Sequence, residues 1–431
     1  MLQDNHTINE AGHFCVAGID AVTLAAEYGT PLYVMDEERL RGNMRRYVTA
    51  MGECFPDGSM PLLASKALSF KEIYRIAKDE GMGTDIVSAG ELYTALAAGF
   101  APEKMFFHGS AKTAEDVRFA IDSGVGHFIV DNTEELGRIS RYAEEKGITQ
   151  AILLRLTPGI DPHTFAAVNT GMVDSKFGAA IETGQAMAIT KAALESPGIR
   201  LDGFHCHLGS QIAEVTPYLD AVDIMTDFMA RVREELSFTA PMLNLGGGFA
   251  VPYVQGDPGV DPADFIRRIA ARLKDRCRVL ALPVPAVLLE PGRSIAADAG
   301  VTLYTVESIK SIPGYKEYVA VDGGMTDNPR FALYGSKYTV LIADRASEPA
   351  GHIATVAGRC CESGDLIGVD MPMQEPRVGD TLAVLVTGAY NCSMASNYNR
   401  VPRPPVIMLR DGKSRVVVRR ETWEDLLARD I

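Results

Sequence analysis

The chain has 431 residues, 47% apolar and 23% charged, with a formal net charge of −14. That length exceeds one ordinary core and implies two domains, while the acidic balance argues against nucleic acid as a partner. No apolar run is long enough for a membrane-spanning helix, and the opening MLQDNHTINEAGHF lacks the basic and apolar regions of an export signal. The seven cysteines are odd in number and scattered, with no C-x-x-C, which suits a reduced cytoplasm and no structural zinc.

In chain order, TPLYVMD (30–36) reads as a strand that joins a β domain formed later in the chain. Eight apolar runs then end in small or polar residues, at 61–67, 83–90, 104–110, 127–132, 151–159, 201–210, 242–249 and 286–292. Between them lie segments such as ELYTALAAGF, TAEDVRFAIDSG and TEELGRISRYAEEKG, with apolar residues at helical spacing. Eight strand–helix units predict a (β/α)8 TIM-type barrel; a doubly wound open sheet is the alternative. After about residue 300, β-branched runs split by Gly, Pro and Asp turns predict an all-β domain. The expected boundaries are 37–298 for the barrel, with 1–36 and 299–431 forming the β domain.

In such a barrel the chemistry gathers at the C-terminal strand ends. These carry Lys66, Asp85 with Glu91 beyond it, His108, Arg155, His205, His207, Ser210, Gly246 to Gly248, Glu290 and Arg293. Lys66, set in LLASKALSF, reads either as an imine-forming lysine whose burial lowers its pKa or as a lysine reaching out to solvent. NLGGGF reads either as a tight turn or as a phosphate cradle of consecutive backbone N–H groups, with Ser210 adding a hydroxyl. Glu290 and Arg293 read either as a surface salt bridge beyond a Pro-Gly turn or as partners for a pyridine-type nitrogen and for a carboxylate or phosphate, and His207 either as a satisfied core or tip residue or as a stack for a flat ring. His205 is assigned to the opposite strand face and a structural role. Together these parts describe a site for pyridoxal 5′-phosphate.

The motifs ASKA, HCHLGSQ, LGGGF, EPGR, DGGMTDNPRFALYG, CCESGD and GAYNCSMASNYN, with TPGIDPHT…TGMVDSKFG, resemble the alanine-racemase-like, fold-type III pyridoxal-phosphate decarboxylases. Within them the resemblance is to the diaminopimelate-decarboxylating branch and covers nearly the whole chain. LLASKAL departs from the aromatic residue and KAN triplet of many members but keeps the lysine. The resemblance implies a PLP-binding barrel, a C-terminal β domain and a homodimer with active sites shared across the interface. It implies decarboxylation of meso-2,6-diaminopimelate to L-lysine. Lys66 would hold the cofactor through an imine and His207 would stack on its ring. Ser210, Gly247, Gly248 and Tyr390 would grip the phosphate near Arg293, and Glu290 would pair with the pyridine nitrogen. Asp85, Arg155, Pro291 and Gly292 complete the implied cofactor site. Arg293, Arg330, Tyr334 and Tyr390 would bind the substrate, with Glu362 on its distal ammonium. Cys361 would be a proton donor, and both Cys361 and Glu362 would come from the partner subunit.

Arg330 and Tyr334, four residues apart, suit a second carboxylate and so favour diaminopimelate over ornithine or lysine. The competing readings are a same-fold decarboxylase of another basic amino acid or carboxynorspermidine, and a non-catalytic pyridoxal-phosphate-binding regulator. In GRCCESGD (358–365), Cys361 is assigned to chemistry and Cys360 to packing.

Overall fold

The structure, a computed structural model, describes residues 2–160 and 175–431. Most of the segment 160–178, including the middle of the TPGIDPHT…TGMVDSKFG motif, lies outside the described residues.

Two compact units emerge, one of Met44–Ala250 with Pro258–Ser294 and one of Met1–Asn43, Val251–Asp257 and Ile295–Ile431. The first is a closed parallel barrel. Its strands, one to eight, are Met60–Ala64, Gly83–Ile86, Met105–Phe107, His127–Val130, Gln150–Thr157, Ile199–His205, Met242–Asn244 and Ala286–Leu289. Each pairs with the next in parallel, and strand eight returns to strand one through Leu288 opposite Met60 and Leu289 opposite Pro61. Closure leaves no open edge and buries both faces of every strand, so the strands read as near-continuous apolar runs. Leu62, Phe106, Ile129, Leu153 and Leu288 form a core cluster, with Met60 and Met242 packed against it.

The helices between the strands begin where the sequence places hydroxyl or amide side chains. Ser88 accepts the Glu91 N–H at the start of Ala89–Ala97, and Asn132 accepts the Glu135 N–H at the start of Thr133–Lys146. Thr113 and Asp116 form a reciprocal capping box on Ala114–Asp122. These caps satisfy orphan N–H groups and set where each strand-end loop stops.

The second unit is mostly β. Leu32–Asp36 pairs antiparallel with the long strand Gly300–Ile312 and parallel with Val406–Arg410. Gly300–Ile312 also pairs with Lys316–Val321 and with Thr381–Leu385. The sheet runs on from Lys316–Val321 through His352–Ala357 to Leu366–Met373. Two short helices, Arg330–Tyr334 and Trp423–Leu427, interrupt the expected all-β texture. The second carries a Thr422–Asp425 capping box, a T-x-x-D signal visible in the sequence.

Candidate active site

The centre of the barrel mouth is a buried carboxylate. Glu290, two residues beyond Leu288, continues that residue's inward face. Its Oε1 accepts a hydrogen bond from Asn244 Nδ2 at 2.7 Å. His205 Nε2 lies 3.4 Å from Oε2, and His108 Nε2 lies 2.9 Å from Oε1, off the line of a hydrogen bond. Burial by itself would raise the Glu290 pKa; its contacts with His108 and His205 more than offset this and hold it well below the usual range. Burial pushes His108 down to about 4 and lowers His205 as well. At neutral pH the pair are therefore neutral imidazoles around one charged carboxylate.

His205 thus faces into the barrel, contrary to its expected assignment to the opposite face. Residues two apart on an extended chain share a face, so His205 and His207 turn the same way. His108, His205 and Glu290 also bring ligand-type atoms within 4.8 Å of one another, a grouping hidden in the sequence because three different strands supply it. Asn244 was not foreseen either. It sits at the end of strand seven and carries only an amide, and its Oδ1 also accepts the Gly246 N–H at 2.9 Å.

Lys66 lies in the single turn Ser65–Ala67 that ends strand one. It is exposed between buried neighbours, so of its two readings the solvent-facing one describes this strand end. Its ammonium acts on the charges of Asp85, Glu91 and His207. Asp85, fully buried, accepts the Ser65 N–H through Oδ1 at 2.9 Å, while Oδ2 has no partner among the described residues. Burial raises its carboxyl to about 8, with Lys66 opposing and Glu290 and Glu91 adding to the rise. Glu91, which accepts from Ser65 Oγ and Val87 N, is raised too.

The glycine run works differently from a simple row of donors. The Gly246 N–H is taken by Asn244 and the Gly247 N–H by His207 Nδ1 at 3.2 Å. Only the Gly248 N–H has no partner among the described residues. The glycines are required by close approach: a Cβ on Gly247 would stand 2.0 Å from the Glu290 carbonyl oxygen, and one on Gly248 2.4 Å from that of Gly209. Because His207 Nδ1 accepts, its proton resides on Nε2. Burial first, then the Lys66 charge, keeps the ring neutral by lowering its pKa well below the usual value.

Arg293 donates through Nε and Nη2 to Ser210 Oγ at 3.1 and 2.9 Å. The hydroxyl then has its own proton to give to an anion. Pro291 and Gly292 complete the closure: Ala64 N donates to Pro291 O at 3.1 Å, and a Cβ on Gly292 would stand 2.8 Å from the Ala64 Cβ. Arg155, its pKa lowered by burial, stacks its guanidinium 4.2 Å from the Phe177 ring centroid.

In the second unit, Arg330 is 5% exposed and Tyr334, at the far end of the same short helix, is 43% exposed. Arg330 donates from Nη1 to Tyr338 Oη at 3.0 Å. Tyr390 is half-buried with φ +61°. In GRCCESGD the organising residue is Asp365, which accepts the Met325 N–H at 2.6 Å and the Cys360 N–H at 2.7 Å. Cys361 and Glu362 are exposed, with the Cys361 N–H bound to Asn399 Oδ1 at 2.8 Å. Cys360 is half-buried, its thiol pushed up to about 11 by burial and then by Asp365.

The residues present fit pyridoxal phosphate. An amine on Lys66, an ionised buried carboxylate, a neutral imidazole and a Ser–Arg–Gly248 donor group stand on one barrel mouth, and Asp85 presents a buried carboxyl oxygen without a partner among the described residues. The pyridoxal-binding domain of the pyridoxal-dependent decarboxylases matches residues 41–297, and the chain belongs to that family. Its relatives narrow the comparison to one activity. The chain is 41% identical to the diaminopimelate decarboxylase of Bacillus subtilis over 423 residues, 98% of this chain and 96% of that one. It is 37% identical to that of Mycobacterium tuberculosis over 436 residues, covering 99% and 97%. The crystal structure of diaminopimelate decarboxylase from M. jannaschii in complex with L-lysine matches with a TM-score of 0.92 at 35% identity, covering 100% and 99%. The cofactor is pyridoxal 5′-phosphate and the reaction class is carboxy-lyase.

Proposed function

We propose that the chain converts meso-2,6-diaminopimelate to L-lysine and CO2, the last step of lysine biosynthesis by that route. Near-full-length identity to enzymes of that name carries the reading, and the ionised, hydrogen-bonded Glu290 in the barrel mouth supplies the chemical support. When bound, pyridoxal phosphate supplies the electron sink that lets a carboxylate leave as CO2. Lys66 would hold the cofactor, the ionised Glu290 would favour a protonated ring nitrogen, and the neutral His207 ring would offer a flat face. Ser210, Gly248 and Tyr390 would take the phosphate, with Gly247 forming the tight turn beside them and Arg293 orienting the Ser210 hydroxyl. Asp85, Arg155, Pro291 and Gly292 shape the surrounding wall. Arg293, Arg330 and Tyr334 bind the distal carboxylate of the substrate, Tyr390 also contacts the substrate, and Glu362 meets the distal ammonium. Cys361 Sγ, or a water it positions, returns the proton that replaces the lost carboxylate.

The enzyme acts as a cytoplasmic homodimer in which Cys361 and Glu362 serve the partner's site. Their exposure beside a turn held by Asp365 supports that assignment. No helix among the described residues is long and apolar enough to cross a membrane. The deciding experiment is turnover of meso-diaminopimelate, L-lysine and L-ornithine with and without pyridoxal phosphate. Cofactor-dependent CO2 release from diaminopimelate alone is expected; preference for lysine or ornithine would overturn the substrate, and no turnover of any would overturn the enzyme.

A further inference from the structure

Arg330 is almost wholly buried, yet no carboxylate pairs with it among the described residues; the groups acting on its charge are Tyr253 and Tyr338. A buried guanidinium surrounded by phenols is an incomplete anion site, since burial of an unpaired cation is costly. The surroundings hold it in place. Tyr338 Oη accepts from Nη1 at 3.0 Å. The guanidinium carbon lies 5.0 Å from the Tyr253 ring centroid and 5.8 Å from that of Tyr338, within cation–π range. The two rings meet edge to face at 5.6 Å and 80°. Tyr253 is itself pinned, its carbonyl by Thr339 Oγ1 at 3.0 Å and its N–H by Asp257 Oδ2 at 2.9 Å.

The Tyr338 proton can be placed by elimination. Asn391 Nδ2 donates to the Thr387 carbonyl at 3.0 Å and reaches Tyr338 Oη at 3.4 Å. A carbonyl demands a donor, so the amide nitrogen must face Thr387, and the same nitrogen faces Tyr338. Tyr338 Oη therefore receives donors from Arg330 and Asn391, and its own proton points to neither. The result is a phenol O–H standing beside a guanidinium fork, a donor set matched to a carboxylate.

We propose that Tyr338 and Tyr253 position the Arg330 fork and thereby make the enzyme prefer ligands that keep a carboxylate at the end remote from the reacting one. The proposal deepens the function above and rests on Arg330 being the distal-carboxylate site. Neither tyrosine lies in the NPRFALY motif; one follows the glycine run and the other follows the short helix.

The test compares L-lysine with cadaverine, which has the same two amines and no carboxylate. Their Kd values for the holoenzyme are read from the change in cofactor absorbance. Tyr338→Phe is expected to reduce the preference for lysine about tenfold, the order of one hydrogen bond to a charged group. It should raise KM for diaminopimelate by a similar factor, with kcat, cofactor absorbance and melting temperature little changed. Tyr253→Leu should reduce the preference too, and Tyr253→Phe, which keeps the ring face, should reduce it less. Arg330→Ala is the reference. If it leaves the preference intact, the reading of Arg330 fails. If it collapses the preference while Tyr338→Phe and Tyr253→Leu keep it, the positioning role is overturned and Arg330 stands. Should Tyr338→Phe not retain cofactor, the Tyr253 pair decides: equal preference in Leu and Phe variants overturns the role of the ring.

Discussion

The Asn244 side chain grips the Glu290 carboxylate at 2.7 Å while its carbonyl oxygen holds the Gly246 N–H at 2.9 Å. One amide thus couples the acidic centre of the site to the glycine turn. Asn244→Ala leaves both partners without it, and a lost hydrogen bond to a buried charge costs about 1.5–3 kcal/mol. Cofactor affinity, followed by absorbance titration, is expected to fall about ten- to a hundredfold by that arithmetic. An unchanged affinity would show that Glu290 does not depend on Asn244.

Lys66→Ala should remove both turnover and the visible absorbance of lysine-bound cofactor. Since the lysine is exposed in a single turn between buried neighbours, the fold should survive with a melting temperature close to that of the unmodified protein stripped of cofactor. Retained turnover would take the anchoring role from Lys66.

Asp85 carries a pH signature. Its carboxyl is raised from an ordinary 3.8 to about 8, first by burial. Between those values the folded state keeps a proton that the unfolded state releases. The stabilisation is complete below the ordinary value and is lost as pH rises through about 8. In melts of cofactor-stripped protein, Asp85→Asn should gain stability relative to the unmodified chain as pH rises across that window. A difference that does not vary with pH would mean Asp85 is ionised throughout.

Asp365 organises the CCESG turn. Its carboxylate lies where a Cβ on Gly358 or Gly324 would come within 2.3 Å of it, and it accepts the N–H groups of Met325 and Cys360. Asp365→Ala should cost about 2–4 kcal/mol, two N–H groups being left without a partner. It should also speed alkylation of Cys361 while leaving cofactor absorbance in place. Unaltered stability and thiol reactivity together would remove Asp365 as the organiser.

If Cys361 serves the neighbouring subunit, Lys66→Ala and Cys361→Ala proteins, each inactive alone, should regain part of the activity when mixed and allowed to exchange. The readout is turnover against the fraction of mixed dimer. Mixed dimers without activity would confine each site to one chain.

Much of this was legible in the chain. The eight barrel strands showed because parallel strands buried on both faces must be apolar along their length. The strands Val340–Ile342, Leu366–Met373 and Val406–Arg410 are less legible in the sequence. The middle one carries Asp370 and Pro372 within its apolar residues, and the last follows a Pro pair that reads as loop. Among site residues, Lys66, His207 and Glu290 stood out by residue type at a strand end. Asn244 did not, since a neutral amide two residues ahead of a glycine run reads as part of the turn.

The sequence by itself determined the barrel, the β domain, the cofactor chemistry and the family, because all four depend on local pattern and on residue types at strand ends. Tertiary structure alone decided which groups meet. It brought His108, His205 and Asn244 to Glu290 from three other strands, gave two of the glycine N–H groups to internal partners, and set Arg330 against Tyr253 and Tyr338. Spacing along a chain gives the face on which a side chain starts; barrel closure and the paths of loops set where its polar atoms end, and no local pattern records those paths.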